Sequence, residues 1–302
     1  MDRRSLLQLT AVTAGAGLVA GNAKATRPAS QNLRASFIER PDRTALFYKE
    51  WGSGKPVIFV HGAGVNSELW SYQMEPLAEA GLRCIAFDRR GHGRSSDPGR
   101  GYDYDTLADD LAAVLEALDV RGATLVGHSM GCGEIIRYLT RHGGRRVARI
   151  ALLAPTLPFF LQTADNPQGI DKAAFQALRA QWARDYPRWV ADHSRAFFMP
   201  DTSAEMRQWA VGLAVSTSLQ AALDCNTALT ETDFRKELAN IDVPTLIVHG
   251  TADASCPIAF TGQRTAALIP GSDLKIYDDA PHGLMITHRE RVNTDLWRFI
   301  QS

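Results

Sequence analysis

Val126–Gly127–His128–Ser129–Met130–Gly131–Cys132–Gly133 is the stretch whose reading decides the fold. Upstream, Ala123, Thr124, Leu125 and Val126 make a short apolar run with β-branched members, which reads as a buried strand. Downstream, Ile135, Ile136 and Leu139 recur at helical spacing. A Gly-x-Ser-x-Gly pentapeptide thus lies at a strand-to-helix turn. A serine on so sharp a turn adopts a strained backbone, tolerable where small residues flank it. Gly127 and Gly131 meet that demand, and the turn lifts the Ser129 hydroxyl above the sheet edge. The Met130 N–H, opening the helix, points to where a negative oxygen would develop. This is the setting of a nucleophile elbow. The bland alternative is a glycine-rich turn with an incidental serine, and the rest of the chain must decide between them.

Working outward, apolar strands alternate with helical patterns. Strands are expected over 35–40 and 44–50, paired around the Pro41–Asp42 turn, then over 56–60, 83–87, 123–126, 147–153, 243–249 and 273–277. Helices are expected over 69–80, 106–118, 259–269 and 288–300. In the second of these, Asp105 reads as the N-cap, and Leu107, Leu111, Val114, Leu115 and Leu118 share one face. Between 155 and 242 the pattern changes to aromatics, prolines and amphipathic segments (172–185, 188–198, 203–219) with no convincing strand. That block is too long for a structureless loop and reads as an inserted helical cap. The expectation is an α/β fold with a mostly parallel central sheet flanked by helices, its core split into residues 26–154 and 243–302.

A serine hydroxyl is a poor nucleophile unless a base takes its proton and a third group orients that base. Asp253 follows the 243–249 strand directly, and His282 follows the last strand. Ser129, Asp253 and His282 therefore emerge at strand C-termini, where a parallel sheet gathers its ligands. Competing candidates read as structural: His61 and His128 as buttresses of their loops, Asp278 and Asp279 as solvated turn acids, Asp88 as the anchor of its own loop. The aromatics Phe159, Phe160, Trp182, Trp189, Phe197, Phe198 and Trp209 read mostly as core of the insertion, with some lining an apolar pocket.

Taken together, His61–Gly62, Phe87–Asp88–Arg89–Arg90–Gly91–His92–Gly93–Arg94–Ser95–Ser96, Tyr102–Asp103–Tyr104–Asp105–Thr106, Gly127–His128–Ser129–Met130–Gly131 and Thr163–Ala164–Asp165–Asn166–Pro167 resemble the α/β-hydrolase superfamily. More narrowly, they resemble its cofactor-free haloperoxidase and aryl-esterase branch. The order Ser…Asp…His is that superfamily's order. The resemblance implies Ser129 as nucleophile, Asp253 as acid and His282 as base, with an oxyanion hole from the backbone N–H groups of Met130 and Ala63 and no cofactor. The branch commonly carries tryptophan where this chain has Ala63, which implies a roomier acyl pocket here.

Composition fits this picture: 302 residues, 45% hydrophobic and 22% charged, suit one large α/β domain with an insertion. A net charge of +0 without a Lys/Arg block argues against nucleic acid as a partner. No 18-residue apolar run marks a membrane span in the mature chain. Cys84, Cys132, Cys225 and Cys256 form no Cys-x-x-Cys pair and so give no metal signature, and their pairing is not readable from spacing. Arg3–Arg4, a weakly apolar run to Ala20 and Ala23–Lys24–Ala25 read as a twin-arginine signal over 1–25, placing the mature protein in the periplasm or outside the cell. The functional expectation is a serine hydrolase of a small-molecule carboxylic ester or lactone. Its rivals are a perhydrolase that makes peracids from peroxide, and a non-catalytic binding protein on the same fold.

Overall fold

Apolar runs of six or seven residues become strands when both their faces find helices to cover them. The computed structural model describes residues 36–302, so the signal-peptide reading of 1–25 lies outside the described residues. The strands are β1 (Phe37–Glu39), β2 (Ala45–Trp51), β3 (Lys55–Val60), β4 (Leu82–Phe87), β5 (Ala123–His128), β6 (Val147–Leu153), β7 (Thr245–Gly250) and β8 (Asp273–Tyr277). They form one eight-stranded sheet in the order β1-β2-β4-β3-β5-β6-β7-β8. β2 pairs antiparallel with β1 and β4, and every other pairing is parallel. From β3 the chain goes first to one side (β4) and then to the other (β5), so a crevice opens beyond the C-termini of β3 and β5.

Alternation along the strands divides the core into two layers. Ile58, Val60, Ile85, Phe87, Leu125, Ile150 and Leu152 pack on one face against α2 (Tyr104–Ala117) and α3 (Met130–His142). Val57, Phe59, Cys84, Ala86, Val126, Ala151 and Leu153 pack on the other, against α1 (Ser71–Glu79) and α10 (Arg289–Gln301). Leu107, Leu111, Val114 and Leu115 are all buried, as their spacing predicts. The cap of α2 differs from the expectation. Asp103, not Asp105, accepts the Thr106 N–H at 2.9 Å, so the helix starts at Tyr104, whose ring packs edge-on against Phe234. Asp105 instead pairs with Arg137.

Between β6 and β7 lie α4 (Lys172–His193), α5 (Ala204–Val215), α6 (Leu219–Glu231) and α7 (Arg235–Leu238), with only isolated bridges at Leu161–Ile170 and Thr163–Asn166 among the described residues. α4 bends at Asp185 (φ −162°, ψ 79°), whose carboxylate accepts the Arg188 N–H at 3.1 Å, so the two expected segments meet at a kink. Pro187 falls in the first turn of the second segment, where its missing N–H costs nothing. The expected helix over 203–219 is α5 and ends at Val215, and a second helix, α6, follows it beyond the expected range. Ser218 leaves helical geometry (φ −56°, ψ 134°), gives its N–H to the Gly91 carbonyl at 2.9 Å and caps α6. After β7 come α8 (Gly262–Leu268), shorter than the expected 259–269, and α9 (Leu284–Thr287) after β8. None of the described helices is long and apolar enough to cross a membrane.

Candidate active site

The turn from β5 into α3 has the expected strain. Ser129 sits at φ 53°, ψ −119°, a left-handed conformation that a side chain rarely adopts. Its neighbours must be glycine. A Cβ on Gly131 would stand 2.4 Å from the Val60 carbonyl oxygen, and one on Gly127 would stand 2.9 Å from the Cys132 nitrogen. Ser129 precedes the first residue of α3, so the Met130 N–H is one of the helix's unsatisfied donors.

Asp253, three residues beyond β7, is buried and fully engaged. Its Oδ1 accepts the N–H groups of Ser255 (3.0 Å) and Cys256 (2.8 Å). Its Oδ2 accepts from His282 Nδ1 at 2.7 Å and from His249 Nε2 at 3.1 Å. Burial alone would raise this carboxyl's pKa; the charge of His282 and the donors around it outweigh burial and hold it well below the usual carboxylate range. With Nδ1 committed to Asp253, the remaining nitrogen of His282 is the one able to accept a proton. Ser129 and His282 line one cavity, and no hydrogen bond joins them among the described residues; in substrate-free enzymes such contacts are often loose.

His249 was not singled out by sequence. It ends the apolar run of β7, where a histidine reads as strand. Its Nε2 lies 2.8 Å from the Cys256 carbonyl as well as 3.1 Å from Asp253, both acceptors, so Nε2 carries the proton. It fixes the carboxylate that orients His282. Only its position four residues before Asp253 hinted at this.

The competing histidines are occupied. His128 Nε2 donates to the His282 carbonyl at 3.1 Å and its ring lies 4.7 Å from that of His282. His61 uses Nδ1 on the Gly62 carbonyl (2.8 Å) and Nε2 on the Arg89 N–H (2.9 Å). Burial, followed by the neighbouring positive charge, holds both far below the ordinary histidine pKa. Arg89, itself buried, ties the loop after β3 in place. Its guanidinium donates to the carbonyls of His61 (2.6 Å) and Gly62 (3.0 Å) and pairs with the buried Glu134. Sequence reading quoted Arg89 only within a motif, since its partner lies on α3. Asp88 accepts the Ser67 and Arg94 N–H groups, each at 2.8 Å, and Asp278 and Asp279 are exposed.

Ala63 and Gly64 of the same loop, with Ser129 and His282, form the floor of a cavity of about 490 Å³. Its walls come from α4, α5 and α6 and the segments beside them, and include Phe175, Trp182 and Trp189 of α4 with Phe160, Phe197 and Phe198 of those segments. Most of the aromatics expected as core of the insertion therefore face a cavity. Trp209 instead packs edge-on against Tyr72, and Phe159 lies under Arg235. Cys256 also borders the cavity, and its sulfur lies within 4.8 Å of ligand atoms of Asp253 and His282. Burial, then the Asp253 charge, pushes this thiol far up, and His282 Nδ1 is already bonded to Asp253. The trio is a hydrogen-bonded pair beside a protonated thiol, not three open ligands. All four cysteines are buried and free.

A family model described as alpha/beta hydrolase fold matches residues 55–289. The chain is 37% identical over 266 residues to a non-heme chloroperoxidase of Kitasatospora aureofaciens, covering 86% of this chain and 97% of that protein. To a bifunctional esterase/perhydrolase of Acinetobacter calcoaceticus it is 37% identical over 279 residues, covering 88% and 99%. An esterase structure from Exiguobacterium antarcticum superposes with a TM-score of 0.85 at 34% identity, over 88% of this chain and 99% of that one.

Proposed function

The chain belongs to the α/β-hydrolase family, and from that premise we propose that it hydrolyses carboxylic esters or lactones through an acyl-enzyme on Ser129. The observation that carries this reading is the buried Asp253–His282 bond of 2.7 Å beside a serine held at φ 53° on the same cavity. His282 takes the Ser129 proton as the hydroxyl attacks the acyl carbon. Asp253 fixes the imidazole and stabilises its transient charge, and His249 fixes Asp253. The N–H groups of Met130 and Ala63 hold the oxyanion. His282 then hands its proton to the leaving oxygen, and water releases the acid.

A second reading rests on the same acyl-enzyme. If hydrogen peroxide replaces water, the acyl group leaves as a peracid and Ser129 is restored, and the peracid can oxidise halide. The relatives described as a chloroperoxidase and as an esterase/perhydrolase support it. Assaying acetate with peroxide measures it directly. Export through residues 1–25 is a separate proposal, tested by whether Arg3–Arg4 replaced by lysines leaves the precursor inside the cell.

The decisive experiment labels the protein with a fluorophosphonate and locates the adduct by intact mass and peptide mapping, alongside a panel of aryl esters, alkyl esters and lactones. One adduct on Ser129, and loss of turnover by about 10⁴- to 10⁶-fold in Ser129→Ala, are expected. A folded Ser129→Ala protein with undiminished turnover would falsify the assignment.

A further inference from the structure

Tyr186 stands where α4 kinks. It is 7% exposed, its ring packs 5.5 Å from that of Trp182, and it borders the cavity. Its hydroxyl has no hydrogen-bond partner among the described residues. That hydroxyl hangs directly over the loop after β3: a Cβ added to Gly64 would stand 2.8 Å from Tyr186 Oη. The position matters because Gly64 follows Ala63. Among cavity residues on the cap side, Tyr186 thus brings a hydroxyl without a protein partner, open to the cavity, to the edge of the reacting centre. The chemistry proposed above does not use it.

We infer that the Tyr186 hydroxyl is a hydrogen-bond donor to the acyl half of the substrate, selecting acyl groups that carry an acceptor oxygen beside the ester carbonyl, such as 2-alkoxy or 2-oxo acids. This rests on the ester-hydrolase reading and deepens it. The side of the site follows from topology. β3 and the β7–β8 pair lie on opposite sides of β5 in the sheet, so the Ala63–Gly64 turn and the Asp253–His282 pair reach Ser129 from opposite sides. The leaving oxygen must face His282 to receive its proton, which puts the carbonyl oxygen and the acyl substituent together on the side of the turn that Tyr186 overhangs. Burial pushes the phenol up to about 12, so the group stays protonated and donates at neutral pH. A donor facing an apolar cavity discriminates because a bound acyl group covers it from water, and one without an acceptor leaves it unpaired.

The test compares two nearly isosteric aryl esters, butyrate and methoxyacetate, in wild type and Tyr186→Phe. Methoxyacetate is intrinsically more reactive, so the quantity read is how its kcat/KM advantage over butyrate changes between the two proteins. That ratio is insensitive to the fraction of folded enzyme in each preparation. The advantage should fall by roughly 2- to 10-fold in Tyr186→Phe. An unchanged ratio overturns the inference, whether or not both rates drop together. Hydrolysis of neither ester by wild type, with no fluorophosphonate adduct at Ser129, overturns the ester-hydrolase reading and this inference with it.

Discussion

The strand-end floor of the site and the helical segment above it use the same kinds of residue to opposite ends. In the floor, apolar side chains meet one another: Phe59 is fully buried, its ring 5.1 Å from that of Trp70. Above it, Trp182 and Trp189 also lie close, at 4.8 Å, yet both border a cavity. The difference is the sheet. A strand between two helix layers has neighbours on both faces, so its apolar residues become core. The helices from 172 to 231 have no sheet of their own: Ala210, Ala221 and Cys225 join the core below, while the aromatics of α4 border open space. The ester-hydrolase reading therefore puts the chemistry below and expects much of the binding specificity above.

This division is easiest to break with a matched pair of truncations. Phe59→Ala should cost about 3–5 kcal/mol in denaturant unfolding, the usual penalty for emptying a core aromatic site. Trp189→Ala should cost about 1 kcal/mol or less and instead change KM across an ester panel. Equal destabilisation by the two would mean that the helical segment is core after all.

A second measurement sharpens the contrast through pH. His61, His92 and His128 are buried in or under the floor, and burial, the largest cause, lowers all three, His92 to about 3. Lowered histidines are neutral when folded, so the unfolded chain binds more protons below its own pKa of about 6.5. Stability is therefore fully present above that value and is lost as pH falls toward the folded pKa. Each should contribute a loss of about 1.4 kcal/mol by pH 5.5, about 4 kcal/mol together. Urea unfolding at pH 7.5 and 5.5 measures it, and His92→Asn should remove about a third. A flat profile over that range would show that the floor admits protonated histidine without strain.

Legibility in the sequence followed the same boundary. The elbow was readable because Gly127, Ser129 and Gly131 are local: strain and close approach are set within five residues. Asp253 and His282 were readable because each directly follows an apolar strand. What escaped depends on how the chain folds back on itself or on distant partners. His249 matters only because the chain folds Asp253 and Cys256 back onto it, and Arg89 because Glu134 arrives from α3. Asp103 takes the cap of α2 in place of Asp105 through a local bond to Thr106, while Asp105 pairs with Arg137 on α3. The break before α6 follows from Ser218 bonding Gly91, a contact that no local propensity encodes. Tyr186 falls between the expected segments 172–185 and 188–198, and only the kink at Asp185 places it over Gly64.

The smallest expected effect sits where the two regions meet. Ala63 is partly buried and borders the cavity from below, facing the aromatics above. Its short side chain leaves volume beside the site of the reacting carbonyl, which an acyl chain can fill. Each buried methylene contributes up to ~0.8 kcal/mol, about a few-fold per carbon if the contact persists in the transition state. Wild type should therefore favour butyryl or hexanoyl over acetyl aryl esters in kcat/KM. Ala63→Trp should reverse that order while leaving the fluorophosphonate adduct at Ser129 intact, because the oxyanion donor is backbone and survives the exchange. A long-chain preference retained by Ala63→Trp would place the acyl chain elsewhere, against the α4–α6 wall, and the selectivity of the floor would then belong wholly to the segment above it.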